Sequence, residues 1–271
     1  MKPYKGTALT IAGSDSGGGA GIQADLKTFE AFDVYGMSVI TALTAQNTYS
    51  VTGIYPVTPD FVKLQIETIF EDITPGAVKT GMLFTKEIIE VVAECMAKFK
   101  VDKLVVDPVM VAKSGAKLLR DDAIDALLNT LLPTAFVVTP NIPEAEIIAE
   151  MKIFTEEDMI KAGEKILERG TKWVLIKGGH LESKEIIDIL IGKEGLWKFK
   201  GEKIITTSTH GTGCTLSSAI AALLSMNYSV QDAVCIARRY IQKAIKYAPP
   251  IGHGHGPLRH KVEIEFEQSC F

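Results

Sequence analysis

Cysteine is scarce and unpatterned here. The 271 residues hold Cys95, Cys214, Cys235 and Cys270, with no Cys-x-x-Cys spacing. No disulfide framework is expected, and reduced thiols in a cytoplasmic protein are the natural reading. Long apolar runs are also missing, and none reaches the roughly eighteen residues that span a bilayer. The opening Met1-Lys2-Pro3-Tyr4-Lys5-Gly6 lacks the apolar core of a signal peptide. Like charges do not cluster, and the formal net charge is −4. That argues against nucleic acid or an anionic membrane as partner. No Pro-, Gly- or Ser-rich linker, repeat or low-complexity stretch divides the chain, so one domain over residues 1–271 is expected. Two nucleotide signatures are absent as well. Gly76 and Gly81 have Walker A separation, but Met82 follows where Lys should stand. The Gly13–Gly21 segment fails G-x-G-x-x-G because Ile22 falls on the third glycine. Any ATP must be held by another scaffold.

What is present is alternation. Strand-like runs at Thr7–Ala12, Met37–Ala45, Ala77–Thr80, Lys103–Asp107, Phe136–Thr139 and Trp173–Lys177 are separated by helix-period segments. Pro59 suits the first turn of a helix running to Phe70. Thr155-x-x-Asp158 resembles a capping box opening a helix to Arg169. A helix is expected over Ala123–Leu132, and a β meander over Ile186–Ile191, Leu196–Phe199 and Lys203–Thr206. Two helices close the chain near Gly213–Met226 and Val230–Tyr247. Strands alternating with helices imply a three-layer α/β/α fold with a mostly parallel sheet and antiparallel edge strands. Ligands of such sheets bind beyond the carboxyl ends of the strands.

The motifs at those ends carry the chemistry. His210-Gly211-Thr212-Gly213-Cys214-Thr215 precedes a small-residue apolar run. Read as a helix start, it offers open N–H groups to a phosphate, and Cys214 a thiol whose pKa a helix N-terminus lowers. Five glycines within Gly13–Gly21 expose backbone for a ligand, or form a flexible loop. Asp25 behind them is either a first-turn acid or a contact for a substrate hydroxyl or amine. Asp107, Asn141 and Glu144 follow two strands and suit Mg²⁺ held through water. Asn141 and Glu144 read equally as a helix cap with a first-turn acid. Lys177, before Gly178-Gly179-His180, meets phosphate as a point charge or merely precedes a Gly-Gly turn. Gln46 can donate and accept, which fits a heterocycle edge with a ring nitrogen and an exocyclic amine; a turn residue is the plain alternative. His253-Gly254-His255-Gly256 lacks zinc spacing and reads as a loop. Cys95 and Cys235 read as core thiols.

Together these residues resemble the ribokinase-like superfamily. Within it they are similar to the hydroxymethylpyrimidine/phosphomethylpyrimidine kinases of thiamine biosynthesis. The resemblance runs through Ala8–Asp15, Gly18–Asp25, Thr44–Thr48, Lys79–Leu83, Asp107–Met110, Thr139–Glu144, Lys177–His180, Thr209–Thr215 and Gly252–Pro257. It implies ATP- and Mg²⁺-dependent phosphorylation of 4-amino-5-hydroxymethyl-2-methylpyrimidine and then of its monophosphate, and it admits a monovalent cation such as K⁺. It assigns Gln46 and Asp25 to the pyrimidine, with Gly13, Met82 and Val109 lining the pocket. Asp107 and Glu144 go to the metal, and Asn141, Lys177 and Thr209 to ATP. The Gly211, Thr212, Gly213 and Cys214 amides form the anion hole. Many sugar kinases of the superfamily carry Asp where Cys214 stands, so the base, where one is needed, would be the thiolate. A homodimer is the usual assembly of the fold. Pyridoxal kinase is the alternative activity, and relatives acting on pyridoxal tend to differ at Gln46. A non-catalytic pyrimidine-binding protein and a covalent Cys214 enzyme are the readings from other classes.

Overall fold

The computed structural model describes residues 3–111, 115, 118–179 and 185–266. His180 and Cys270 lie outside that range. In chain order the elements are β1 (Gly6–Asp15), α1 (Gly21–Ala31), β2 (Val34–Gln46), β3 (Val51–Pro56), α2 (Pro59–Asp72), β4 (Ala77–Thr80) and α3 (Lys86–Lys98). They continue with β5 (Leu104–Val106), α4 (Ile124–Ala126), β6 (Val137–Val138), α5 (Ile142–Ala149), α6 (Glu156–Leu167), β7 (Trp173–Ile176), β8 (Glu185–Gly192), β9 (Gly195–Glu202), α7 (Thr212–Ser225) and α8 (Val230–Lys246). One nine-stranded sheet runs β3-β2-β1-β4-β5-β6-β7-β8-β9. The pairs from β2 through β7 are parallel, while β3 pairs antiparallel at one edge and β8 and β9 at the other.

Alternate side chains of each strand enter opposite cores. Leu9, Ile11, Val78, Val106 and Val138 pack with α2, α3, α5 and α6. Ala8, Ala77, Val105 and Val137 pack with α1, α7 and α8. Helices therefore cover both faces, which is why the central strands are mostly apolar on both sides rather than alternating. Local chemistry starts the helices where the sequence marks them. Thr85 caps α3, Ser229 caps α8, and Asn141 and Thr155 build full capping boxes on α5 and α6. Two bulges bend the strands beside the ligand end of the sheet. One falls between Ala12 and Ser14 in the β1–β2 pairing, the other between Ala45 and Gln46 in the β2–β3 pairing.

Three expectations are corrected. Residues 203–206 form no strand; their β-formers find no buried face, and Ile205 is 99% exposed. The helix expected over Ala123–Leu132 breaks into 3-10, α, π and 3-10 turns, ending against Pro133, whose ring cannot continue it. β3 is an addition. Its turn is set by Asn47, whose side-chain oxygen accepts the N–H groups of Tyr49 and Ser50. Cys95 and Cys214 are free, whereas Cys235 is buried on α8 and disulfide-bonded, unlike the core thiol expected there.

Candidate active site

The carboxyl ends of β1, β4, β5, β6 and β7 lie side by side, so the segments after them face one another. Asp107 follows β5 and Lys177 follows β7; their side chains pair at 3.1 Å. Thr139 after β6 donates to Asp107 Oδ1 at 3.3 Å, and Ser217 of α7 donates to Oδ2 at 3.3 Å. Burial works against the Lys177 charge, but Asp107 and Glu144 outweigh it and keep the ammonium protonated.

The start of α7 comes over this pair. A Cβ built on Gly213 would stand 3.4 Å from Lys177 Nζ and 3.6 Å from Asp107 Oδ2. Gly211 is the N-cap, with φ 79°, and provides no side-chain cap. The first-turn N–H groups therefore lack the internal partner that Ser, Thr or Asp would supply. Thr209 sits just outside, its carbonyl accepting the Thr212 hydroxyl at 2.7 Å. An open helix start beside a lysine is an arrangement for anionic oxygen.

Asn141 and Glu144 satisfy their structural reading in full. Asn141 accepts the Glu144 N–H at 2.9 Å, and Glu144 accepts the Asn141 N–H at 2.9 Å. Glu144 nonetheless belongs to the charged cluster. Burial pushes its carboxyl up to about 7, with Asp107 adding to the rise and Lys177 and the Asn141 and Met110 N–H groups opposing it. Among the described residues no group of three or more His, Cys, Asp or Glu is placed to hold a metal ion. Asp107 and the raised Glu144 carboxyl are still a hard-oxygen pair that a cation would relieve. They fit Mg²⁺ as it is usually bound, by one or two carboxylates plus water and phosphate.

The other end of the cleft holds Gly13, Gln46 and Met82. A Cβ on Gly13 would stand 3.0 Å from Met82 Sδ. Val109 is half-buried after β5, its N–H donating to the Asp107 carbonyl at 2.8 Å. Gln46 ends β2 and meets the His210 ring, Nε2 to Nε2, at 3.3 Å. The 252–257 segment closes on the same region. Gly254 and His255 donate their N–H groups to Thr48, and His253 stacks on Tyr49.

Two expectations fail on this geometry. Asp25 is 0% exposed, and protein groups occupy both of its oxygens. Lys79 bonds both its oxygens at 3.0 and 2.9 Å, Ser218 donates to Oδ1 at 2.6 Å and Thr10 to Oδ2 at 2.6 Å. A carboxylate so occupied supports the site from behind. Nor is Cys214 a ready thiolate. Burial pushes its thiol up to about 11; Lys79 and the Gly21 N–H pull it down, while Asp25 and Asp107 push it up. Burial is the largest cause, so the thiol rises where a helix N-terminus is expected to lower it.

Lys79 itself went unassigned in the sequence reading. Its signal was a charge inside the four-residue buried strand Ala77-Val78-Lys79-Thr80. Asp25, with Asp107 adding to it, keeps the ammonium protonated against the cost of burial. Asp15 was missed too; its carboxylate gathers the N–H groups of Gly17, Gly19 and Ala20 and pairs with His210 at 2.8 Å. The adjacent Ser217 and Ser218, polar in an apolar helix, each reach one of the two site carboxylates.

Comparison with known proteins gives the family. The family model described as phosphomethylpyrimidine kinase matches residues 15–259. The chain belongs to the phosphomethylpyrimidine kinase family. It is 46% identical over 261 residues to the hydroxymethylpyrimidine/phosphomethylpyrimidine kinase of Bacillus subtilis, covering 96% of each chain. It is 48% identical to the thiamine biosynthesis bifunctional protein ThiED of Geobacter sulfurreducens, of which it spans only 53%. Among solved structures, a phosphomethylpyrimidine kinase from Clostridium difficile matches at TM-score 0.80 and 49% identity, over 88% of this chain and 99% of that one. An ADP complex of Bacillus subtilis pyridoxal kinase matches at TM-score 0.88 and 40% identity, over 94% and 97%. The ribokinase-like fold expected from the motifs is thereby shown. No helix among the described residues is long and apolar enough to cross a membrane.

Proposed function

We propose that this chain transfers the γ-phosphoryl group of ATP to the hydroxyl of 4-amino-5-hydroxymethyl-2-methylpyrimidine, and then a second phosphoryl group to the monophosphate. The observation that carries the reading is the uncapped start of α7 set against Lys177 and Asp107. The Gly211–Cys214 amides hold the group in transit, and Lys177 offsets charge on ATP, with Asn141 and Thr209 bordering the nucleotide. Asp107 and Glu144 would hold Mg²⁺, which would offset charge on the β- and γ-phosphates. Gln46, Gly13, Met82 and Val109 take the pyrimidine. The substrate oxygen bonds to phosphorus, the bond to ADP breaks, and the hydroxyl proton is released. Phosphoryl transfer of this kind is mostly positioning and charge stabilisation. All of residues 1–271 are read as one kinase domain, acting in the cytoplasm where ATP is available.

The test is a time course of protein, ATP, Mg²⁺ and pyrimidine, resolved into mono- and diphosphate. Both products should appear in sequence, and absence of ADP production would remove the reading. The likeness to a pyridoxal kinase favours one competitor, so kcat/KM for pyridoxal belongs in the same experiment. A preference for pyridoxal would overturn the substrate assignment.

A thiol held at about 11 is mainly protonated at neutral pH, so Cys214 acts here by orienting the attacking hydroxyl. Cys214→Ala should lower kcat about a hundredfold, the lower range for loss of a positioned proton-handling group. Cys214→Ser, which keeps a small hydrogen-bonding group, should stay within about tenfold of the parent. Equal collapse of both variants would restore the thiolate as base.

The homodimer is part of the proposal. Leu43 and Tyr55 face each other across β2 and β3, and Phe61 and Leu64 of nearby α2 are exposed as well. Such an apolar surface at a sheet edge favours a second copy. Light scattering should read twice 29.4 kDa.

A further inference from the structure

Asp15, His210 and Thr44 have no part in the phosphate chemistry, yet they meet at Gln46. His210 Nε2 is 2.8 Å from Asp15 Oδ2 and 3.3 Å from Gln46 Nε2. Thr44 Oγ1 is 2.9 Å from the Ser14 carbonyl oxygen and 3.1 Å from Gln46 Oε1. Counting protons shows what these contacts require. Burial pushes the Asp15 carboxyl up, but the hydrogen bond and charge of His210, with the Ala20 and Gly17 N–H groups, hold it below the usual range. Asp15 is thus an acceptor, and the hydrogen between it and the ring is on His210 Nε2. That nitrogen cannot also accept from Gln46 Nε2. The single hydroxyl hydrogen of Thr44 is spent on the Ser14 carbonyl, so Oγ1 can only accept from Gln46. Both contacts become donor-to-acceptor with the amide turned by half a revolution, Oε1 toward His210 and Nε2–H toward Thr44. The ring N–H is then shared between Asp15 and Gln46, as three-centre bonds are.

We infer that Asp15, His210 and Thr44 are positioning residues that hold the Gln46 amide in one orientation and so set which ring edge the substrate pocket takes. One N–H and one carbonyl lone pair of Gln46 are left in a common plane. That pair complements an edge with a ring nitrogen beside an exocyclic amine. A ring without the amine meets only half of it, and the carbonyl lone pair of Gln46 that faces the ligand is then covered without a donor, which costs affinity. Disconnected from the ring, the amide rotates and presents two orientations, and the selectivity fades. The inference rests on the proposed substrate reading and deepens it.

The test compares 4-amino-5-hydroxymethyl-2-methylpyrimidine with its analogue lacking the 4-amino group, by steady-state kinetics. In His210→Ala and His210→Asn the ratio of the two kcat/KM values should fall about tenfold, the weight of one hydrogen bond in a buried site. The loss should sit in KM of the amino substrate. His210→Gln places an amide N–H near where Nε2 stands and should restore most of the ratio. Thr44→Val attacks the opposite side of the amide and should lower the ratio similarly, which keeps the inference testable where a His210 variant fails to fold. A purely structural role would lower both substrates together and leave the ratio unchanged; that result in soluble His210→Ala, His210→Asn and Thr44→Val would overturn the inference. A parent protein that phosphorylates neither compound would instead overturn the functional reading.

Discussion

Gly211→Ala should abolish most turnover, lowering kcat by about a hundredfold or more, the scale of losing a preorganised oxyanion donor. Gly211 has φ 79°, a conformation that costs an alanine about 1–2 kcal/mol. A Cβ there would also collide with the Gly19 carbonyl oxygen and come within 3.3 Å of Ala20 Cα. Neither neighbour is free to retreat, because the Gly19 and Ala20 N–H groups are bound to Asp15 at 3.1 and 2.8 Å. Relief must therefore come from the start of α7, and with it the amides proposed to hold the phosphoryl group. The expected pattern is a fall in kcat, with a helical circular dichroism spectrum like the parent's. Turnover within threefold of the parent would show that the α7 start is not the anion site.

Much of the fold was readable because local signals agreed with tertiary need. Ala77–Thr80 is a strand as read, and the Thr155 and Ser229 starts sit where capping chemistry puts them. The failures share a cause: whether a β-rich run has something to pair with is not written locally. Val51–Pro56 found the edge of β2, while residues 203–206 joined no strand. The site divides the same way. The sheet carries Asp107, Glu144 and Lys177 to one place because they follow neighbouring parallel strands, and a pattern reading can reach that. Side-chain direction is another matter. The resemblance assigns Asp25 to the substrate, while its position after the glycine loop leaves that open. Its actual partners, Thr10, Lys79 and Ser218, come from three other elements, far apart in sequence. The Cys214 thiol went the same way, since its protonation is governed by burial and then by Lys79, Asp25 and Asp107.

Lys79→Met should be the most destabilising of the substitutions considered. Both side chains of the Lys79–Asp25 pair are 0% exposed. Removing the ammonium leaves a buried carboxylate with only the Thr10 and Ser218 hydroxyls for company. Breaking a buried pair from one side typically costs about 3–5 kcal/mol, because the remaining charge is uncompensated. At roughly 2–4 °C per kcal/mol for a domain of this size, Tm should drop by about 6–20 °C. The double variant Lys79→Met with Asp25→Asn removes that orphan charge and should recover much of the loss. Activity should behave differently. Lys79 sets a positive charge beside Cys214, close to the hydroxyl that Cys214 is proposed to orient and that loses its proton in the transfer. Neither the single nor the double variant restores that positive charge behind the cysteine. Stability that returns in the double variant while kcat stays low would separate the two roles of the lysine, as support for the fold and as the charge beside the reacting group. An unchanged Tm in Lys79→Met would mean that water reaches the pair and that its burial does not hold in solution.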